Sequence, residues 1–282
     1  MSSDYQSNNS SQERVKEYAT LRSVESIVQE VLDILDEDED DGKTFEEKKE
    51  IILKHLRSYE ETENLADVLA DAAMADMKGQ QVKDTFWSLG PVICQDPSIV
   101  LRKVEDADQE AFLAIEQEYS PMKSMLAEES YRVLLWKEHV AEKALMLSIE
   151  KDGEYIGYCG IKNTSQQPWE IAIELLPQWT KKGLGPIAIS AMLDAMKARL
   201  DTSVFRVRID PGNSSSQKMF ERLGAVPNGI SEYLLHDQSI IEECEENNLH
   251  LIDEDTIALA VKFGVEPRKL LSHILEYTLS WS

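Results

Sequence analysis

Two glycines near the middle of the chain have a spacing that could support phosphate binding. Residues 169–185 have the sequence WEIAIELLPQWTKKGLG, an alternating strand that leads through Gly183 and Gly185 into a helix predicted over 186–200. A glycine turn at the start of a helix presents free backbone N–H groups and the positive end of the helix dipole. The segment therefore predicts a phosphate-binding turn.

The same strand carries two glutamates that could act as a general base. Glu170 and Glu174 alternate with apolar residues and so share one face of the strand. A partly buried carboxylate there would have its pKa raised toward neutrality, which suits a general base. We favour Glu174 as the base. The alternative for either residue is a structural ion pair with a cation such as Arg206 or Arg208, and for Glu170 this alternative is the stronger.

The elements around these residues alternate between strand and helix. Beyond a linker at 90–97, apolar periodicity predicts an ordered series of elements: strands over 98–104, 145–150, 155–161 and 204–209, and helices over 106–118, 125–140 and 215–223. This order predicts an α/β fold with a mixed sheet covered by helices.

The two flanks are predicted to be helical. Residues 1–90 show capping boxes and apolar periodicity that predict an all-helical module, with helices over 10–35, 44–59 and 63–78. Gly79 is expected to end the third helix. After a strand at 230–235, residues 231–282 are predicted to form a helical tail, with helices over 238–247, 253–263 and 266–279. A helix pair docked on the rest of the chain is favoured over a DNA-reading pair.

Charge is unevenly distributed along the 282 residues. Residues 1–97 contain 10 Lys and Arg against 23 Asp and Glu, residues 98–230 contain 16 against 19, and residues 231–282 contain 3 against 11, in agreement with a net charge of −24. Such acidity argues against general nucleic-acid or membrane binding and is compatible with attraction of cationic amines. Without an apolar run for a signal peptide or membrane span, we expect a cytoplasmic protein. The three cysteines and five histidines show no metal-binding spacing, so no metal is expected.

Two motifs of the middle region resemble those of a known enzyme family. The strand-glycine-helix junction is followed about thirty residues later by Asn213-Ser-Ser-Ser-Gln-Lys-Met-Phe220-Glu-Arg-Leu-Gly224. With the order of elements, these motifs resemble the GNAT superfamily of acyl-CoA-dependent N-acyltransferases over about residues 98–230, and more loosely its branch that acetylates ribosomal-protein N-termini. The resemblance implies a mostly antiparallel, twisted sheet flanked by helices, with acetyl-CoA as co-substrate.

The resemblance also implies which residues would hold acetyl-CoA. The pyrophosphate would lie on backbone N–H groups, with a lysine as the cation, and the pantetheine arm would lie between a strand edge and the second motif. For the pyrophosphate these residues are Gly183, Leu184, Gly185 and Ile187, with Lys181 or Lys182. For the arm they are Leu175, Leu176, Asn213 and Ser216.

Three residues depart from the family pattern. Thr180 stands where the family usually has Arg or Gln, Pro186 removes one backbone donor, and Phe220 stands where many members have a tyrosine acid. Ser216, Tyr158, Tyr233 or water could supply the acid instead. A backbone N–H near Leu175 would stabilise the developing oxyanion.

The resemblance implies an N-acetyltransferase that acts on a primary amine by direct attack in a ternary complex. The acceptor would be a small molecule, a protein N-terminus or a lysine. The alternative is a non-catalytic acyl-CoA-binding module whose helical flanks contact a protein partner, which Phe220 and Pro186 motivate. The helical flanks could also mediate self-association of the chain.

Overall fold

The computed structural model describes residues 62–95, 98–120, 122–232 and 238–282. The first two helices predicted for the N-terminal flank, and Tyr233, lie outside these residues. Internal contacts divide the chain into two units, Met1–Met77 and Lys78–Ser282, and the second unit is described below. None of the described helices is both long enough and apolar enough to cross a membrane.

Eight strands of the described region form one sheet. Its order is β1-β2-β3-β4-β5-β6-β8-β7, and every neighbouring pair is antiparallel except β5 with β6. The mixed, mostly antiparallel sheet is thus confirmed. The strands are β1 Val92–Gln95, β2 Val100–Lys103, β3 Leu145–Lys151, β4 Glu154–Ile161, β5 Trp169–Leu175, β6 Val204–Ile209, β7 Val226–Glu232 and β8 His273–Ser280.

Seven α-helices are present among the described residues, and short 3₁₀ turns connect several elements. The turns that matter below are Pro177–Trp179 and Pro267–Leu271. The helices are α1 Thr62–Trp87, α2 Gln109–Tyr119, α3 Glu129–Val140, α4 Leu184–Leu200, α5 Ser214–Arg222, α6 Gln238–Asn247 and α7 Glu254–Phe263.

Two apolar clusters cover the two faces of the central strands. The larger one joins α4, through residues such as Ile189 and Met192, to inward-facing residues of the sheet. The smaller one joins Phe112 of α2 and Trp136 of α3 to Tyr158 and other residues of the opposite face. Because side chains of a strand alternate between faces, β5 contributes its odd-numbered residues to the α4 side and its even-numbered residues to the α2 side.

The strands β5 and β6 separate soon after they meet. Their parallel pairing covers only Trp169 with Phe205 and Glu170 with Arg206. On its other edge β5 stays paired with β4 up to Leu175. The sheet therefore has a gap beside the second half of β5, where backbone groups on that edge have no strand partner among the described residues.

The predicted helix over 266–279 is wrong. Residues 267–271 form a 3₁₀ turn, and His273–Ser280 form β8, which lies between β6 and β7 inside the sheet. Leu275, Tyr277 and Leu279 are fully buried at the two-residue spacing of a strand. The predicted helices over 238–247 and 253–263 are observed, so the tail is a helical segment that returns to complete the sheet.

A buried carboxylate joins helix α6 to the turn that precedes β8. Glu245 of α6 is fully buried and accepts hydrogen bonds from Arg268 at 2.8 Å, Lys269 at 2.9 Å and Ser272 at 2.8 Å. Burial alone would raise the pKa of Glu245, but these donors hold it below its ordinary value. The network thus holds α6 against the turn that leads into β8.

The expected role of Gly79 as a helix end is also wrong. Helix α1 continues through Gly79 to Trp87. A Cβ at position 79 would lie only 2.5 Å from the Cα of Lys143. The glycine is needed because the backbone after α3 approaches the helix closely, and not because the chain turns there.

Candidate active site

The glycine turn forms the start of α4. The helix begins at Leu184, two residues earlier than predicted, with Gly183 as the N-cap residue at φ +78°. A Cβ at Gly183 would meet nothing within 4 Å, so open space lies in front of the helix N-terminus. The N–H groups of Gly183, Leu184 and Gly185 are those that an α-helix leaves without an intrahelical acceptor.

One predicted phosphate-binding residue, Ile187, lies differently from expectation, whereas Pro186 lacks a donor as expected. Pro186 is the third residue of α4, where its missing N–H removes one of the free donors. Ile187 is the fourth residue, so its N–H takes the position of the first intrahelical hydrogen bond. Three backbone donors therefore remain at this helix end, and Ile187 is not one of them.

The two predicted lysines lie on the exposed turn before the helix. Lys181 has φ +57°, and the Nζ atom of Lys182 lies 4.6 Å from the ring centroid of Trp179. A cation over an aromatic face is attracted by the ring quadrupole. Lys182 is thus held beside the turn that contains Gly183. There it could contact a negatively charged ligand at the helix N-terminus.

The free edge of β5 lies next to this turn. The Leu176 N–H donates to the Ile156 oxygen at 2.9 Å, which places Leu176 and Glu174 in the hydrogen-bonded positions of the antiparallel ladder. Alternation then directs the N–H and C=O groups of Ile173 and Leu175 away from β4 and into the gap. Of the two leucines predicted to contact the pantetheine arm, only Leu175 offers its backbone to the gap.

The second motif begins helix α5, which follows β6 along the chain. The Asn213 Oδ1 atom accepts a hydrogen bond from the Ser216 N–H at 3.0 Å, which is an N-cap interaction. Ser216 is half-buried in the first turn of the helix. Phe220 is buried in the larger core cluster. Asn213 and Ser216 therefore come together as a helix start, and the position of Phe220 is structural.

Glu170 is surrounded by cations. Its buried carboxylate lies 3.0 Å from the Nζ of Lys162, 2.8 Å from the Nε of Arg208 and 3.3 Å from Arg206. Burial alone would raise the pKa of Glu170, but the charges and hydrogen bonds of Lys162 and Arg208 hold it below its ordinary value. Glu170 therefore stays ionised in ion pairs with Arg206 and Arg208, the partners that the sequence suggested. A carboxylate held in this way is a poor proton acceptor.

Glu174 has the opposite environment. Its carboxyl is half-buried on the α2 face, and burial raises its pKa above the ordinary value, although the Tyr158 hydrogen bond and the charge of Lys162 act in the opposite direction. Tyr158 is its cross-strand neighbour on β4. The structure thus gives Glu174 the partly desolvated setting that was predicted for a base.

A second carboxyl, which was not predicted, lies near Glu174. Burial, together with the negative charge of Glu174, raises the pKa of Glu116 on α2 to about 7 from 4.5, against an opposing effect of Lys162. The titration of Glu116 is therefore coupled to the charge of Glu174. The signal in the sequence is that Glu116 follows Phe112 by four residues and Leu113 by three, which puts it on the buried stripe of its helix.

Tyrosines complete this cluster. Burial raises the pKa of Tyr158 well above its ordinary value, and its hydroxyl donates to Glu174. The Tyr119 hydroxyl donates to the Leu175 oxygen at 3.0 Å. Cys159, on the same strand as Tyr158, is fully buried in the core, and burial raises the pKa of its thiol. That thiol is therefore a packing group in the core.

The described residues fit acyl-CoA but offer no metal site. A helix N-terminus with open space before it, an exposed lysine and an unpaired strand edge provide donors for phosphates and an amide-bearing arm. Within the described ranges no three His, Cys, Asp or Glu side chains are grouped so as to hold a metal ion.

Several solved structures resemble this chain in fold. One is RimL, a ribosomal-protein alpha-N-acetyltransferase in complex with coenzyme A, with 13% identity, 67% of this chain and 98% of that chain covered, and a TM-score of 0.47. A chimera of the spermidine N-acetyltransferase SpeG from Vibrio cholerae has 14% identity, coverage of 65% and 95%, and a TM-score of 0.46. Mycobacterium smegmatis RimJ with a CoA disulfide has 17% identity, coverage of 67% and 84%, and a TM-score of 0.44.

The sequence comparisons identify the family of the middle region. No curated protein matches the chain by sequence. The family described as acetyltransferase (GNAT) domain matches residues 98–226, which contain both motifs, the gap beside β5 and the two carboxyls. Residues 98–226 are therefore a GNAT acetyltransferase domain.

Proposed function

We propose that this chain is an N-acetyltransferase that transfers the acetyl group of acetyl-CoA to a primary amine by direct attack in a ternary complex. One observation carries the proposal. The carboxyl pair of Glu116 and Glu174 lies at the strand whose free edge opens into the gap between β5 and β6. A proton acceptor and a slot for an extended arm would thus lie along the same strand, as amine acylation by a thioester requires.

Acetyl-CoA would be held by backbone groups more than by side chains. The N–H groups of Gly183, Leu184 and Gly185 would bind the pyrophosphate, with Lys181 or Lys182 as the nearby cation. The free edge of β5 near Leu175 would pair with the pantetheine arm through the backbone of Ile173, because the Leu175 oxygen already accepts a hydrogen bond from Tyr119. Asn213 and Ser216 would contact the arm from the start of α5. When bound, acetyl-CoA supplies an activated acyl group.

The remaining catalytic groups follow from the same geometry. The Leu175 N–H points into the gap and is the proposed donor to the carbonyl oxygen on which negative charge develops. Ser216 is the proposed proton donor to the departing thiolate, with water as the alternative. Tyr158 is less suited to this role because its buried hydroxyl already donates to Glu174.

The acceptor is proposed to be a cationic amine, either a small molecule or a protein N-terminus or lysine. Two adjacent carboxyls attract an ammonium group and can also remove its proton. The net charge of −24 favours the approach of cations from solution.

The test combines binding with turnover. Calorimetry should show that the full chain binds acetyl-CoA, and a panel of primary amines should then release free thiol. Failure to bind acetyl-CoA would reject the proposal. Binding without thiol release for any amine would instead favour a non-catalytic acyl-CoA-binding module with helical protein-interaction flanks, a role that the buried, hydroxyl-free Phe220 makes worth testing.

A further inference from the structure

We propose that Glu116 is the residue that accepts the proton of the amine, and that Glu174, held by Tyr158, is a positioning residue that tunes Glu116. This assignment rests on the proposed acetyl transfer and names the base within it. It differs from the prediction from sequence, in which Glu174 was the base.

Glu174 is the more firmly engaged member of the pair. It accepts a hydrogen bond from Tyr158, which is only 7% exposed. The Tyr158 ring is fixed by His139, with ring centroids 4.8 Å apart, and by Phe112, at 5.8 Å. These ring contacts hold the Tyr158 hydroxyl in position, and its hydrogen bond in turn positions the Glu174 carboxylate on β5.

Glu116 is the more available member. It is half-buried on α2, four residues after Phe112, so the helix that packs on Tyr158 also brings Glu116 to Glu174. Within the part of the chain that the structure describes, no side chain donates a hydrogen bond to the Glu116 carboxyl. Its oxygens can therefore receive an N–H from an amine, and its pKa of about 7 matches a base that works near neutral pH.

The other titratable groups around the pair do not compete for this role. Burial raises the pKa of both Tyr119 on α2 and Tyr155 on β4, so these phenols stay neutral. Burial lowers the pKa of His139 on α3 to about 4, so its ring is neutral. The charge of Lys162 lowers the pKa of both Glu116 and Glu174, but its Nζ atom forms an ion pair with the Glu170 Oε1 atom at 3.0 Å. Glu116 is left as the group that can exchange a proton near pH 7.

The proton balance of the step is simple. An ammonium acceptor gives one N–H proton to the Glu116 carboxylate and becomes a neutral amine. The amine nitrogen then forms a bond to the thioester carbonyl carbon while the carbon–sulfur bond breaks. The thiolate takes a proton from Ser216 or water and leaves as free thiol. The second amine proton, which is lost as the amide forms, restores that donor, and Glu116 returns its own proton to solvent.

The first test compares three single substitutions by the pH dependence of kcat/KM in the thiol-release assay. Glu116→Gln is expected to lower kcat/KM by about 10²- to 10⁴-fold at every pH. Glu174→Gln is expected to retain more activity and to move the acid limb below its wild-type midpoint near pH 7, because Glu116 loses a negative neighbour. Glu118→Gln, an exposed residue of the same helix, is the matched control and should leave the profile unchanged.

The outcomes separate this assignment from the proposed activity. Wild-type protein that releases no thiol with any amine would reject the acetyltransferase proposal and the base with it. An active wild type in which Glu116→Gln keeps its rate, while Glu174→Gln loses it, would overturn the assignment alone.

A second readout needs neither acetyl-CoA nor turnover. Carboxyl ¹³C NMR should show one glutamate signal that titrates near pH 7, disappears in Glu116→Gln and moves to lower pH in Glu174→Gln. In Tyr158→Phe, Glu174 loses its hydrogen bond and its own titration should move to higher pH. A Glu116 signal that does not move when Glu174 is replaced would show that the two carboxyls are uncoupled, and the proposal would fail.

Discussion

The Tyr119 hydroxyl donates a 3.0 Å hydrogen bond to the backbone oxygen of Leu175. This bond joins the last residue of α2 to the last residue of β5, at the point where β5 has left β6. It satisfies the Leu175 carbonyl and leaves the Leu175 N–H directed into the gap. It also fixes the end of the helix that carries Glu116.

The first prediction concerns this bond. Tyr119→Phe removes the hydroxyl and should loosen α2 against β5, so kcat should fall about three- to tenfold, in keeping with a hydrogen bond worth about 1 kcal/mol. Because Leu175 N–H and the glycine turn are unaltered, the Kd for acetyl-CoA should stay within about twofold. Steady-state kinetics and calorimetry measure the two quantities. A large change in Kd with constant kcat would show that Tyr119 acts on the acetyl-CoA site instead.

The second prediction concerns the glycine turn. Gly183→Ala places a Cβ at φ +78° in the open space before α4 and should weaken acetyl-CoA binding roughly tenfold or more. Gly153→Ala is the matched control, because Gly153 has φ +81° and equally open surroundings in the turn between β3 and β4. Both variants should lose about 1 kcal/mol of folding free energy through backbone strain. Equal acetyl-CoA affinity in the two variants would argue against phosphate binding at Gly183.

The sequence was most informative where structure is local. The alternation of Trp169–Leu175 and the glycines before α4 predicted the strand, the turn and the helix, since each depends on residues close together in the chain. The pairing of Glu116 with Glu174 could not be read in the same way. It depends on how α2 packs over β4 and β5, which no local pattern specifies.

The C-terminal strand shows a second limit of local patterns. Leu270 and Ile274 are spaced as on a helix, whereas Leu275, Tyr277 and Leu279 are spaced as on a strand. The partners that decide between these readings are β6 and β7, which lie far back along the chain. Tertiary pairing therefore overrode the helical prediction.

The third prediction follows from the position of β8. Leu279→Ala should destabilise the protein by about 2–5 kcal/mol, because Leu279 is fully buried in the core. Val261→Ala, also in the C-terminal segment but 77% exposed, should change stability by less than about 0.5 kcal/mol. Deletion of residues 233–282, which leaves all of β7 in place, should abolish cooperative unfolding, since it removes the strand between β6 and β7. A deleted chain that still unfolds cooperatively would show that the sheet closes without β8.

The last prediction concerns the cost of keeping Glu116 beside Glu174. The pKa of Glu116 is raised to about 7 in the folded protein from 4.5, so between these values the folded state binds more protons than the unfolded state. Stability from this residue is therefore lost as pH rises from about 4.5 to about 7. The loss is at most on the order of 3 kcal/mol for a half-buried group.

Glu116→Gln should remove this loss because glutamine does not titrate. The variant should resemble the wild type at pH 4.5 and be more stable than it at pH 8, as measured by urea unfolding at both pH values. The exposed Glu118→Gln is the control and should show no such difference. If Glu116→Gln were equally destabilised at both pH values, the carboxyl would be a structural hydrogen-bonding group. The claim that an ionised Glu116 beside Glu174 lowers the stability of the fold would then be wrong. A gain confined to high pH would instead show that the fold carries two adjacent carboxyls at a cost in stability, as expected of groups retained for proton transfer.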